Sequence, residues 1–578
     1  MNSQSSWATS VANRAHAVLD EARRLGPRES ARASLGLLGR GAQASVIPLV
    51  AGLLGSLAAI LTMGALRLTW GVPTLPELFG ERLLLLLNVD QFIQLLLRFA
   101  PHSKTTPLLL SLLGQFVIGI LLGPAYALAA RLPANLRGLW PGRREWLAAG
   151  AFVVVMEALT VLLFWPVLFG NLLGDTVGKA RLINSLGALT VFIVFVGVTA
   201  LANRWLRLAW GAWLTSASAP MAHQELAASQ AETPAWTVSR RAALGAAGAV
   251  IVGVGAGALS TRGLIDSYVG RSNLAYEGME TDYAVSQATQ LTPTSDFYVV
   301  SKNVLDPTVQ VNRWRLEVAG MVEQPRVWTF DDVTSAQGES RAITLECIAN
   351  GPGGHLMSTA EWTGISLERV LAQAGGVAAT AKYVIFSSVD GFQSSLPLAD
   401  LLEARTLLAY RMNGARLPDR HGYPLRVVTP GRYGEQSPKW LTRIELSDQP
   451  FKGLYQAQGW RAGQLYTTSR IERPMSKQRI PLGPVNVTGL AFAGIRGVQR
   501  VEVSADGGAT WNRAMLRPPL SDQAWVYWSW LWTPTAPGAY TLVVRATDGA
   551  GETQTSIQTS TVPNGATGQH HVPVVVGA

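Results

Sequence analysis

The sequence predicts a multi-domain protein with an N-terminal α-helical membrane bundle, then an α+β domain, then an immunoglobulin-like β-sandwich. Three observations predict it. Long uncharged apolar runs are confined to the first half of the chain. After Arg262 charge and Gly/Pro turns return, with strands and helical stretches mixed, and from about Pro484 the pattern is purely β. The whole is 578 residues long, more than one ordinary domain. At 48% hydrophobic and 15% charged residues the chain is not a disordered one. A single cysteine excludes an internal disulfide framework, Cys-rich zinc sites, iron–sulfur clusters and C-x-x-C-H haem attachment. The formal charge is +10, but much of the arginine flanks apolar runs, which speaks for membrane topology and against nucleic acid as partner.

Residues 1–43 form a basic N-terminal segment, and residues 44–210 a four-span bundle. Its spans are Ala44–Leu66, Pro107–Ala130, Trp146–Asn171 (interrupted by Glu157) and Ile183–Asn203. Leu83–Leu97 is short, contains Asp90, and reads as an interfacial or re-entrant helix. Arginines cluster before the first span, between the second and third (Arg131, Arg137, Arg143, Arg144), and after the fourth (Arg204, Arg207, Arg240, Arg241). The positive-inside rule makes these segments cytoplasmic. Residues 211–241 are then a cytoplasmic linker and 242–260 a fifth crossing that places the remainder outside. Ser239-Arg240-Arg241 ahead of that run resembles a twin-arginine export signal, and is equally a plain helix with basic flanks. Segment 242–260 is expected to stay uncleaved and to tether the exported half. None of the seven histidines falls within a span, so the bundle does not read as a haem b carrier. Glu157, the one ionisable group in mid-span, is expected to make an interhelical hydrogen bond.

A linker, 261–290, leads to an α+β catalytic domain over 291–480, a sandwich over 481–567 and a tail, 568–578. Trp528, Trp530 and Trp532 share one strand face and are expected to serve as aromatic core or dimer surface. No G-x-S-x-G, H-E-x-x-H or phosphate-loop motif occurs. Cys347 remains, within Thr344-Leu-Glu-Cys347-Ile-Ala-Asn350.

That stretch resembles the one holding the molybdenum-ligating cysteine in the sulfite oxidase family of molybdopterin enzymes. The resemblance continues through Ala360-Glu-Trp-Thr-Gly364, Ser388-Val-Asp390-Gly and His421-Gly-Tyr-Pro-Leu-Arg426, and on to Ser437-Pro438-Lys439-Trp440. Val501-Glu-Val-Ser-Ala-Asp-Gly-Gly508 looks like the family's dimerisation domain, which implies a homodimer. The resemblance implies a molybdenum–pterin dithiolene cofactor with Cys347 as the metal's protein ligand, neither haem nor iron–sulfur cluster being present. A soft thiolate suits such a metal, and because the pterin brings its own sulfurs one cysteine suffices. The family's cofactor positions fall on Tyr298, Val299, Val300, Ser301, Lys302 and Asn303, and on Asp390, His421, Arg426, Ser437, Pro438 and Lys439.

Three departures from the family touch the substrate pocket. Val300 and Gln436 stand where arginines are expected, and Trp460 where a tyrosine is. With Lys302 and Cys347, Gln436 and Trp460 are the expected catalytic set, and Arg432, Lys302 or Arg461 are candidates to supply the missing charge. The expected function is oxygen-atom transfer to or from a small S- or N-oxide or sulfite, sulfite being the poorer substrate. A separate cytochrome or quinone-linked membrane protein would carry the electrons, at the extracytoplasmic face of the cell membrane. The rival from another class is a transporter or sensor with a non-catalytic exported module.

Overall fold

The computed structural model describes residues 27–84, 86, 91, 105–130, 140–218, 276–277, 290–303, 306–461 and 463–577. The chain forms two compact units: residues 1–66, 110–163 and 186–267 in one; residues 67–109, 164–185 and 268–578 in the other.

Four long helices dominate the N-terminal half: α1 (Pro27–Trp70), α3 (Thr105–Ala129), α4 (Arg143–Phe164) and α5 (Val177–Ser218), with the short α2 (Leu75–Leu84) between the first two. Four segments are long and apolar enough to cross a membrane: Val46–Trp70, Leu110–Ala129, Arg143–Val167 and Val177–Trp210. Small residues bring the first, second and fourth together. A Cβ on Gly52 would stand 2.6 Å from the Gly119 carbonyl oxygen, and one on Gly55 2.1 Å from Thr199 Oγ1. Leu110, Leu121, Leu128, Val154 and Leu162 stay exposed on these helices. The third helix ends sooner than the apolar run suggests. It stops at Phe164 and passes into a 3₁₀ turn, Trp165–Val167, because Pro166 has no N–H to continue the ladder. Glu157 makes no interhelical hydrogen bond among the described residues; its Oε2 is buried without a partner. The physical reason is its setting: α4 is apolar for several residues on either side, and backbone groups in a helix are already bonded. Arg240, Arg241, the run 242–260 and most of Leu83–Leu97 lie outside the described residues.

In the second unit, two five-stranded sheets build the α+β domain. One orders strands Ala415–Arg416, Leu407–Met412, Met357–Ser366 and Glu339–Glu346, with Arg426–Val428 also pairing Leu407–Met412. The other orders Arg326–Trp328, Leu316–Gly320, Leu441–Ser447, Tyr383–Ser388 and Gln393–Pro397. Its core packs Trp314, Trp328, Phe386, Trp440 and Leu446. The C-terminal strands form a sandwich of a four-stranded and a five-stranded sheet, spanning Thr468 to Val576. Trp528 and Trp532 enter its core with Val503, Leu542 and Val544, and Trp530 stacks on Trp532 at 6.3 Å. The tryptophan stripe is therefore packing.

Candidate active site

Cys347 follows the last residue of strand Glu339–Glu346, where the alternating apolar pattern stops and the chain turns away from the sheet. The turn is fixed from both sides. Cys347 N donates to Leu356 O at 2.9 Å, and Asn350 N donates to Cys347 O at 2.9 Å. Asn350 Nδ2 donates to Glu346 Oε1 at 2.8 Å while its Oδ1 accepts from Leu356 N. The thiol is buried against Tyr298, Leu345, Leu356, Trp362 and Tyr423. Burial pushes it up to about 12, with Glu435 and Glu346 adding to the effect. A thiol so placed ionises only against a strong cation.

Beside it lies a cationic wall. Arg426 opens strand Arg426–Val428 and is 5% exposed, yet no carboxylate pairs with it among the described residues. Its guanidinium donates only to carbonyls, those of Val427 (3.3 Å), His421 (3.0 Å) and Ser437 (3.2 Å), and lies 4.9 Å over the Trp362 ring. Burial pulls it down to about 10. His421 ends the short turn Asp419–His421, edge-on to Phe297, and is held neutral, near 3, by burial and by Arg426, Lys439 and Arg420. Lys439 donates to Arg420 O at 3.0 Å. Gly422, at φ +111°, lets these side chains converge: a Cβ there would stand 2.9 Å from Lys439 Cβ and 3.1 Å from Arg426 Cβ. Ser437 is buried and its hydroxyl accepts from Thr429 N at 3.0 Å; Pro438 O accepts from Val427 N.

A third cluster surrounds Asp390. Its Oδ1 accepts from Phe392 N at 3.1 Å and its Oδ2 from Asn303 Nδ2 at 2.8 Å, while its carbonyl accepts from Lys302 Nζ at 2.8 Å. Lys302 also pairs with Glu81 Oε1 of α2 at 2.9 Å. Ser301 Oγ donates to Asp306, and Val299–Val300 pair antiparallel with Tyr276–Glu277. Tyr298 stacks on Phe297, its hydroxyl next to Gly434.

Gln436 and Trp460 do meet. With Phe392, Gln393, Ser394, Glu435, Tyr455, Gln456 and Arg461 they line a narrow cleft of about 10 Å³, room for about one water molecule. Trp460 stacks on Tyr455 at 4.4 Å, and its Nε1 has no partner. Gln436 donates to Glu435 Oε1 and to Arg461 O, leaving its own Oε1 unpartnered. Glu435 Oε2 is likewise unpartnered, and burial raises that carboxyl to about 7. The candidates for compensating charge are mostly committed elsewhere: Arg432 to Asp400 at 2.8 Å, Lys302 to Glu81 and Asp390. Arg461 alone of the three lines the cleft. Sequence reasoning passed over Glu435, although a carboxylate next to Gln436 in a loop was there to be weighed. It also passed over Glu81, whose partner lies 221 positions away.

A lone buried thiol, a carboxylate-free guanidinium and a separate hydrogen-bonding cleft define a protein built to hold an anionic, metal-bearing cofactor. Residues 303–455 match the oxidoreductase molybdopterin-binding domain and residues 462–571 the Mo-co oxidoreductase dimerisation domain. Human mitochondrial sulfite oxidase is 32% identical over 286 residues, 41% of this chain and 52% of that protein. Chicken sulfite oxidase is 34% identical over 308 residues, 45% of this chain and 66% of that one. The NADH nitrate reductase of Ulva prolifera is 29% identical over 336 residues, 47% and 39% of the two chains. The chain thus spans about half the length of the first curated relatives it matches. Over residues 303–571 it carries the molybdopterin-binding and dimerisation domains of molybdopterin oxidoreductases and is similar to sulfite oxidases. The donor set fits that cofactor, since Arg426 is a buried cation without a carboxylate and Cys347 a buried thiol at a fixed turn.

Proposed function

We propose that this protein is a membrane-anchored, extracytoplasmic molybdenum oxidoreductase that transfers an oxygen atom at a small neutral S- or N-oxide. The observation that carries the substrate reading is the cleft, where a carboxyl, an amide oxygen and an indole N–H stand unpartnered and the one lining arginine, Arg461, lays its guanidinium over the Tyr466 ring at 4.4 Å. Sulfite is a dianion whose burial beside Glu435 costs several kcal/mol unless cations surround it. A neutral oxide asks only for a donor and an apolar wall, which Trp460, Tyr455 and Phe392 supply.

Cys347 would ligate the metal; Arg426, His421, Ser437, Pro438 and Lys439 would hold the pterin and its phosphate, and Tyr298–Asn303 with Asp390 the far side. The bound cofactor supplies two-electron oxygen-atom transfer. The chain's own part is electrostatic and positional. Arg426 offers a planar fork to phosphate. Neutral His421 accepts or donates one hydrogen bond without adding charge. Trp460 Nε1 orients the substrate's oxygen, and Glu435, protonated at neutral pH or below, offers it a proton. Reduction of an oxide consumes two electrons and two protons and releases water, so a separate cytochrome or quinone-linked protein would supply the electrons, and the sandwich would pair two copies.

Chain connectivity supports the sidedness. The arginine-rich connection 131–142 reads as cytoplasmic, and a fifth crossing at Ala242–Ser260 would carry the catalytic domain to the other side of the membrane. Purified protein should contain about one molybdenum per chain, with extractable fluorescent pterin, and should turn over dimethyl sulfoxide better than sulfite with artificial electron carriers. Efficient sulfite turnover, above roughly 10⁵ M⁻¹s⁻¹ in kcat/KM, would reject the neutral-oxide reading. Protease added to intact spheroplasts should digest the catalytic domain; protection would reject the sidedness.

A further inference from the structure

Two connections of the N-terminal half build a small cap over the Asp390–Gly391 turn. Gly71 O accepts from Leu172 N at 2.9 Å, Asn171 Nδ2 donates to Trp70 O, and Asn184 Nδ2 donates to Leu168 O and Gly170 O. Arg67 pairs with Glu77, fixing the entry to α2. The cap then meets the catalytic domain closely. A Cβ on Gly170 would stand 3.0 Å from Gly391 N and 3.2 Å from the Asp390 carbonyl carbon, and Asp175 pairs with Arg313 at 2.7 Å. Its one charged contact at the turn is Glu81, whose carboxylate lies 2.9 Å from Lys302 Nζ.

The geometry of Lys302 explains what Glu81 does. The Lys302 side chain is 8% exposed, so its charge must be met by protein. Two carboxylates face it, Glu81 at 2.9 Å and Asp390 Oδ2 at 4.0 Å. Asp390 Oδ2 already accepts from Asn303. Remove Glu81 and, with Glu77 held by Arg67, Asp390 is the nearest carboxylate left to Lys302, which pulls that carboxylate off Asn303 and shifts the turn. We propose that Glu81 is a positioning residue of the cofactor site: by pairing with Lys302 across the cap it holds Asp390 and Asn303 in place, so that retention of the pterin depends on the N-terminal half.

This rests on the assignment of Lys302, Asn303 and Asp390 to the pterin, and the experiment separates the two. Full-length protein in detergent, as parent, Glu81→Gln, Gly170→Ala, Arg82→Ala and Arg426→Ala, is dialysed, and pterin fluorescence and molybdenum per chain are followed with the thermal midpoint. Glu81→Gln and Gly170→Ala should release pterin about tenfold faster than parent, the size of effect that outer-shell partners of a bound group have. Arg82→Ala, on the same helix but without a contact in the cluster, should match the parent, and the midpoint of cofactor-stripped protein should shift by no more than about 2 °C in Glu81→Gln, an effect below about 1 kcal/mol. Gly170→Ala inserts a methyl group without changing charge, so it tests the cap should Glu81→Gln fold poorly. Parental retention in both cap variants, with loss in Arg426→Ala, overturns the proposal and leaves the cofactor site intact. Parental retention in Arg426→Ala as well overturns the site assignment itself, and the role of Glu81 with it.

Discussion

The cationic wall and the substrate cleft are neighbours, yet they solve opposite electrostatic problems. Around His421, Arg426 and Lys439 three basic residues converge, and Arg426 meets only carbonyls, an arrangement that waits for an anion. In the cleft a carboxyl raised to about 7 faces a glutamine and an indole. A buried cation without counter-charge and a buried carboxylate without a cation each cost free energy in isolation. Each is tolerable where a ligand of matching character binds. The difference teaches that one fold can hold a cationic wall whose Arg426 has no paired carboxylate and, beside it, a buried carboxyl without a paired cation, among the described residues.

The contrast is tested most directly at the metal. Cys347→Ser should lower turnover by at least about a thousandfold, because a hydroxyl is a poor soft ligand. Steady-state assays with molybdenum analysis check this; activity near parent would remove Cys347 from the site. Next comes the wall itself. Arg426→Ala should leave the chain holding about tenfold to a hundredfold less pterin after purification, read by fluorescence of the extracted pterin.

The cleft offers a test by gain. Gln436→Arg combined with Glu435→Gln should lower KM for sulfite by about tenfold, equivalent to about 1.4 kcal/mol, through one guanidinium–oxyanion pair. Dimethyl sulfoxide kinetics should weaken in the same variant. If sulfite KM does not move, charge in this cleft is not what sets the substrate.

The last test, of stability and not of turnover, lies outside both regions. His570 accepts from Ile471 N at 3.0 Å and is pushed down to about 4 by burial and by Arg470, His355 and His571. Its folded pKa lies below the unfolded value near 6.5, so the folded state binds fewer protons between those limits. Its contribution is full above pH 6.5 and is lost as pH falls towards 4, on the order of 2 kcal/mol. His570→Asn should flatten that slope in thermal unfolding followed against pH, with retention of pterin unchanged.

Much was legible in the sequence because the signals were local or came as ordered motifs. Apolar runs of the right length marked the spans, and Cys347, His421, Arg426 and Lys439 sat in short stretches whose chemistry agreed. The family resemblance put Gln436 and Trp460 in one pocket, and in the structure both line one cleft. The end of the third helix was misjudged, because hydropathy does not register that Pro166 stops a ladder.

The order of residues alone thus carried composition and local pattern: where the chain turns apolar, where strands alternate, and that the chain has a single thiol. Which charges meet was settled by packing in three dimensions. Lys302 was free on paper to enter the substrate cleft, and instead pairs with Glu81 from a connection 221 positions earlier. Arg432, close in sequence to Gln436, turns to Asp400. Long side chains swing through several ångströms, and a buried charge goes to whichever counter-charge the packed backbone brings near. That choice belongs to the fold and is written in no single segment.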